Sequence, residues 1–362
     1  MLRKGSKVGK RFSRTASLLL VMLLCLSLVS MAGCNKTTTT GAQGKTVELK
    51  LAHFWPATHP AETQLVQPWA RDIEKASNGR IKITSYPGET LAKANDIYDG
   101  VVKGSVDIGI SCFSYTKGRF PVCEVFELPG ITYNTSKAAS KVAWDTLQEL
   151  NPQEVQDTHL LMVLTTGPGD IYSKSPVRTL EDIKGIEIRA TGMSAKTLAA
   201  LGATPVGMPQ SDAYESLSKG VVKANLGPDE VLKGWKQAEV TKYLTRTPFL
   251  YNTVFFVTMN KDKWNSLDPE MQKVVTDASK KYFEEVAAGL WDKQNEEALK
   301  WAVDEKKMEV ITLSPEETTK WIGLVTPVQQ ETIDAINKTG LNGQEIISKV
   351  KALADKYNQQ YK

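Results

Sequence analysis

After Pro269 the chain continues for roughly 38 residues, to about Lys307, without another proline. Apolar side chains recur there at helical spacing: Met271, Val274, Val275, Ala278, Tyr282, Phe283, Val286, Leu290 and Trp291. Its start is well marked, with Asp268 as cap, Pro269 in the first turn and Glu270 beside the positive helix end. At 1.5 Å per residue such a helix reaches about 57 Å, longer than a small domain is wide. The run therefore predicts two bodies with one helix bridging them. A coiled coil is the rival reading, but the heptad is not kept. A length of 362 residues suits about two domains, and 41% hydrophobic with 24% charged residues is ordinary for a globular chain.

Upstream, short apolar strands alternate with amphipathic helices. Val47, Leu49 and Leu51 alternate with Glu48 and Lys50 in a strand that ends in His53-Phe54-Trp55. Pro60 to Ala76 follows as a helix, "RIKITSYPG" as a strand, Ile97 to Val102 as a helix and Val106 to Ile110 as a strand. A helix at 138–150 and the strand "HLLMVLTT" close a first α/β lobe. From 167 to 252 the pattern recurs: "RTLEDIKG" helix, "IEIRA" strand, "SAKTLAALG" helix, "TPVGM" strand, a helix "DAYESLSKG" capped by Ser211, and the strand "VVKANLG". Such alternation predicts two parallel-type sheets covered by helices. Ser314-Pro-Glu-Glu317 reads as a capping box opening a last helical region.

The N-terminus carries six basic residues and no acid within residues 1–14, then a mostly apolar run from Ala16 to Ala32 that leads into Gly33-Cys34. This is the pattern of an export signal, too short to span a membrane, which needs about 20 apolar residues. Met31-Ala32-Gly33-Cys34 resembles a bacterial lipobox with Met in place of the usual Leu. On that reading 1–33 is a lipoprotein signal peptide, Cys34 is lipidated and 34–45 is a flexible polar tether. Removing the signal leaves 39 basic against 41 acidic residues, a charge near −2, which gives no support for a nucleic-acid partner.

Chemistry-bearing motifs are few. "GAQGKT" lacks the first glycine of a phosphate-binding loop and lies in the tether. "GPGDIY" fails the dinucleotide pattern. His53 and His59 are near each other, while His159 is distant and reads as buried, so no metal set is assembled. Cys112 has Lys117 and Arg119 nearby but no base, and with Cys123 it forms either a small disulfide loop or two separate thiols, the latter preferred. No enzyme, cofactor or metal is expected.

In α/β sheets, ligands lie beyond the carboxyl ends of strands. Those ends are His53 to Trp55, Ser111 to Tyr115, Thr165 to Gly169, Arg189-Ala190, Met208-Pro209 and Leu226 to Glu230. They combine aromatics, glycines and hydroxyls with one arginine, a set that suits an organic anion. Arg189 fits equally an ion pair with Glu187, and each aromatic fits core packing.

Five stretches carry a family resemblance: "NGRIKITSYPGETL", "GSVDIGI", "LEDIKGIEIRATG", "LGATPVGMPQSDAYESLSKGVV" and "TVFFVTMNKDKWNSLDPEMQKVV". Together they resemble the DctP-type solute-binding proteins of TRAP transporters, over essentially all of 46–340. The resemblance implies a two-lobed periplasmic-binding-protein-like α/β fold (type II-like) with mixed sheets and a long bridging helix. Lobe I would take 46–166 and about 253–297, lobe II 167–252 and about 298–362. It implies a monomeric, lipid-anchored extracytoplasmic receptor that closes on an organic acid and delivers it to a sodium-coupled permease. In that family the arginine of the G-x-x-I-R strand pairs with the ligand's carboxylate, and its match is Arg189. Phe54, Trp55, Phe113, Tyr115, Gly169, Met208, Gly227, Asp229 and Glu230 complete the expected ligand-binding set. Two departures stand out. Gly167-Pro-Gly-Asp170 replaces a loop that often bears a second arginine, and Val222-Lys-Ala224 replaces Val-Asp-Gly. With four aromatics available, the expectation leans to an aromatic or apolar monocarboxylate. The alternatives are a C4-dicarboxylate or sugar-acid receptor, a sensor lipoprotein that presents its ligand, a secreted hydrolase and an ABC-importer binding protein.

Overall fold

The computed structural model describes residues 46–362. The signal segment and the whole tether, Cys34 included, lie outside them. Two sheets organise the chain. The first has the order β2-β1-β3-β10-β4, from β1 (Val47–His53), β2 (Ile81–Tyr86), β3 (Ile108–Cys112), β4 (Thr158–Thr165) and β10 (Val254–Asn260). The second has the order β11-β9-β5-β8-β6-β7, from β5 (Asp170–Ser173), β6 (Glu187–Ala190), β7 (Thr204–Gly207), β8 (Ala224–Gly227), β9 (Tyr243–Arg246) and β11 (Glu309–Thr312).

Each sheet contains one strand that opposes the rest. β10 runs antiparallel to β3 and β4, and β5 antiparallel to β8 and β9. Both are the strands by which the chain enters a lobe from the other one: β5 follows β4 directly, and β10 follows β9. The alternation alone predicted parallel-type sheets; both are mixed, as the family resemblance implied, because a strand arriving straight from the neighbouring lobe has no crossover helix to reverse it.

The first sheet is packed on both faces, as β10 shows. Phe255, Val257 and Met259 point into one core with Trp69 and Trp291, while Val254 and Phe256 point into another with Tyr98 and Phe113. The second lobe has a core around Ile171, Ile188, Leu226 and Trp321 and a smaller one around Tyr172, Leu244 and Ala298.

The bridging helix exists but is broken. Asp268 accepts from the Met271 N–H at 2.9 Å and starts Pro269–Tyr282, which passes into a π-helical turn at Phe283–Ala287 and restarts as Leu290–Asp304. Its first part and Trp291 pack in the first lobe; Ala298 and Ala302 pack in the second. The break falls where the first-lobe helix Ser136–Leu150 docks: Asp292 accepts the Lys137 N–H at 3.2 Å, and the Ala288 carbonyl receives Ser136 and Ser140 hydroxyls.

Three local expectations need correction. Ser211 lies inside its helix, Gln210–Lys219, and makes no cap. Ser314 caps its helix, but Glu317 turns away to the Leu180 N–H at 2.7 Å instead of closing the box. Residues 328–360, expected in the second lobe, return to the first: Val328, Ile336, Ile347, Val350 and Tyr357 join the core of Phe113 and Phe256.

Candidate functional site

Arg189 stands on β6 between β7 and β8, in register with Val206 and Asn225, and is only 3% exposed. Its Nε donates to the Met208 carbonyl at 2.9 Å, and Nη2 to the Tyr115 hydroxyl at 3.3 Å. Tyr115 belongs to the first lobe and also accepts from the Gln210 N–H at 3.0 Å, so this cluster spans the two lobes. No carboxylate among the described residues pairs with Arg189; Glu187 sits exposed at the strand's start. A buried guanidinium with only neutral partners is costly unless an anion joins it.

The guanidinium lines a narrow cleft between the lobes, a nearly closed space of about 20 Å³. Its walls are aromatic. Phe54 lies against Trp235 at 6.1 Å between ring centroids, and Phe255 stacks on Trp291 at 4.9 Å. Trp55 bridges the groups, 4.9 Å from Phe54 and 5.8 Å from Trp291. Burial pushes the phenols of Tyr115 and Tyr251 up, so both remain neutral hydrogen-bonding groups here. Gln210 Nε2 and Trp291 Nε1, both on lining residues, are buried donors without a partner among the described residues.

Glu230 lines the same cavity and accepts from His59 Nε2 at 2.6 Å. His59 Nδ1 accepts the Ala61 N–H at 3.0 Å, which fixes the ring hydrogen on Nε2. The loop that carries Glu230 is tied down beside it. Arg246 pairs with Asp170 and, at 3.0 Å, with Asp229, and the Tyr172 hydroxyl donates to Asp229 at 2.9 Å. Burial and the neighbouring Asp229 push the Asp170 carboxyl up to about 6.

Of the ten residues proposed from sequence, Arg189, Phe54, Trp55, Tyr115 and Glu230 meet at this cavity. Met208 contributes its carbonyl to Arg189, and its side chain faces an adjoining groove. Gly169 and Gly227 stand outside the lining; a Cβ on Gly169 would lie 2.4 Å from the Gly227 carbonyl oxygen, so the pair permits close packing. Asp229 is engaged by Arg246 and Tyr172. Phe113 packs on Phe120 and Phe256 in the core on the far side of the sheet. Strand-end reasoning missed Trp235, Trp291, Tyr251 and Phe255. The first two sit in or beside helices, Tyr251 in the loop back to the first lobe, and Phe255 on β10, a strand whose placement only the fold reveals.

The histidines make no metal centre among the described residues. His53 pairs with Glu62 at 2.8 Å, and His159 is half-buried and stacked on Trp264, where burial pushes it down to about 4. Cys112 and Cys123 are separate buried thiols, both pushed up by burial, which makes poor nucleophiles of them.

The DctP family model, described as bacterial extracellular solute-binding protein, family 7, matches residues 51–335. The chain belongs to that family. Its members are ligand receptors, not enzymes. A marine metagenome TRAP solute-binding protein specific for aromatic acid ligands, solved with 3-hydroxybenzoate, is 32% identical with a TM-score of 0.81, over 86% of this chain and 99% of that one. A TRAP solute-binding protein from Rhodoferax ferrireducens, solved with copurified benzoate, is 27% identical with a TM-score of 0.81, over 88% and 100%. The 2,3-diketo-L-gulonate-binding periplasmic protein YiaO of Escherichia coli is 27% identical over 57% of this chain, and the match spans 64% of its own length.

Proposed function

We propose that this receptor binds an aromatic or apolar monocarboxylate between its lobes and delivers it to the sodium-coupled membrane subunits of a TRAP transporter, while held to the membrane as a monomer through lipidated Cys34. The observation that carries the reading is the buried Arg189 guanidinium, met by no carboxylate among the described residues and at the wall of an aromatic cavity. With Nε and one Nη2 hydrogen engaged, the rest of the fork is left for a carboxylate. Rings such as Phe54, Trp235 and Phe255 suit a flat apolar body. The relatives solved with 3-hydroxybenzoate and benzoate support the same chemistry. A dicarboxylate or sugar acid fits less well, because Arg189 is the one cation among the described lining residues.

Closure of the lobes about the segments that join them would exclude water from the ion pair and strengthen it, and reopening at the permease would weaken it. A thermal-shift screen of aromatic, aliphatic and dicarboxylic acids tests the reading, since bound ligand stabilises by mass action. Benzoate-like acids should raise the melting temperature. Stabilisation by succinate-like acids alone would overturn the preference.

A further inference from the structure

The cavity has an acidic end as well as a basic one. Glu230 Oε1 takes the hydrogen of His59, while Oε2 receives no hydrogen bond from any described residue. Because His59 Nδ1 accepts from Ala61, the ring cannot offer a second hydrogen, and the pair as a whole carries one negative charge. The loop around it is rigid: the Glu230 N–H donates to Asn295 at 2.9 Å, and His59 stacks on Trp55 at 5.9 Å. Trp291, 6.4 Å from the His59 ring, has a buried Nε1–H without a partner among the described residues. An acceptor and a donor, on two residues that both line the cavity, are thus left without partners among the described residues.

We propose that Glu230, oriented by His59, selects aromatic monocarboxylates that carry a hydroxyl away from the carboxylate. This rests on the reading of Arg189 as the carboxylate anchor. A hydroxyl is the small group that both gives and takes a hydrogen bond, so it donates to Glu230 Oε2 and accepts from Trp291 Nε1. The same negative charge repels a second carboxylate, which orients the ligand and excludes dicarboxylates.

Isothermal titration of the receptor with benzoate, 3- and 4-hydroxybenzoate, 3-methoxybenzoate and isophthalate tests this. The better hydroxybenzoate should bind about 10-fold or more tighter than benzoate, the gain expected of a hydrogen bond to a charged group. Methoxybenzoate should gain nothing, and isophthalate should bind weakest. In Glu230→Gln the hydroxybenzoate-to-benzoate ratio should shrink and the isophthalate-to-benzoate ratio should rise. Equal binding of benzoate and both hydroxybenzoates by the parent receptor would overturn the proposal and leave the Arg189 reading intact. A ratio that survives Glu230→Gln would do the same. Failure of benzoate and every other aromatic acid to bind would overturn both. The comparison within the parent receptor needs no variant to fold.

Discussion

Two arginines of the second sheet are treated in opposite ways. Arg246 on β9 has a side chain 32% exposed, yet it meets two carboxylates, Asp170 and Asp229. Arg189 on β6 is 3% exposed and meets none among the described residues, only a carbonyl and a phenol. Stability alone would favour the reverse, since an unpaired charge costs more the deeper it lies. Arg246 ties β5, β9 and the Glu230 loop together. The Arg189 charge is met by no carboxylate among the described residues, which is the arrangement the proposed anion site requires.

The sharpest way to break this contrast is to remove each arginine in turn. Arg189→Ala should weaken benzoate binding by about 2–5 kcal/mol in calorimetric titration, with the ligand-free melting temperature unchanged or higher. Loss of ligand-free stability comparable to the binding loss would show Arg189 to be structural. Arg246→Ala leaves two carboxylates facing each other. Allowing for its partial exposure, it should cost about 2–3 kcal/mol in denaturant unfolding, with a smaller loss of affinity than Arg189→Ala. A variant as stable as the parent would erase the distinction.

A third test concerns Glu127, a carboxyl in the lobe wall near Gly192 that burial pushes up to about 8. The folded state keeps this proton over a range where the unfolded chain, with an ordinary carboxyl near 4.5, has released it. Stability should therefore fall as pH rises from about 4.5 to 8 and level off above that. Glu127→Gln should flatten that slope by roughly 1 kcal/mol per pH unit in melts across the range. An unchanged slope would mean that Glu127 is ionised in the fold and is a competing partner for nearby cations. The smallest effect is expected at Gly192, where φ is +50° and an added Cβ would lie 2.5 Å from Ser114 Cβ of the first lobe. Gly192→Ala should wedge that contact and weaken benzoate binding by about threefold, near 0.7 kcal/mol. Unaltered affinity would show that ligand capture does not need the lobes this close.

What could be read from the sequence follows from what is locally encoded. The start of Pro269–Tyr282 and the cap at Ser314 were readable because capping chemistry is written in neighbouring residues. The direction of β5 and β10 was not, because whether an apolar run pairs parallel or antiparallel depends on where the chain has just come from. The π turn at Phe283–Ala287 and the return of residues 328–360 to the first lobe depend likewise on distant partners. At the site, Arg189, Phe54, Trp55, Tyr115 and Glu230 obeyed the strand-end rule. Phe113 did not, since the turn Phe113–Tyr115 sends its first side chain into the core and its last into the cavity. Trp235 and Trp291 reach the cavity from helical segments, for which that rule has no term.

The central claim is that the Arg189 charge is held for a ligand carboxylate. Calorimetric titration of the unaltered receptor with benzoate and with benzamide, its neutral counterpart of nearly the same shape, tests it most directly. Benzoate should bind about 100-fold tighter or more, as expected for a desolvated charge pair. Equal affinity for the two would contradict the account.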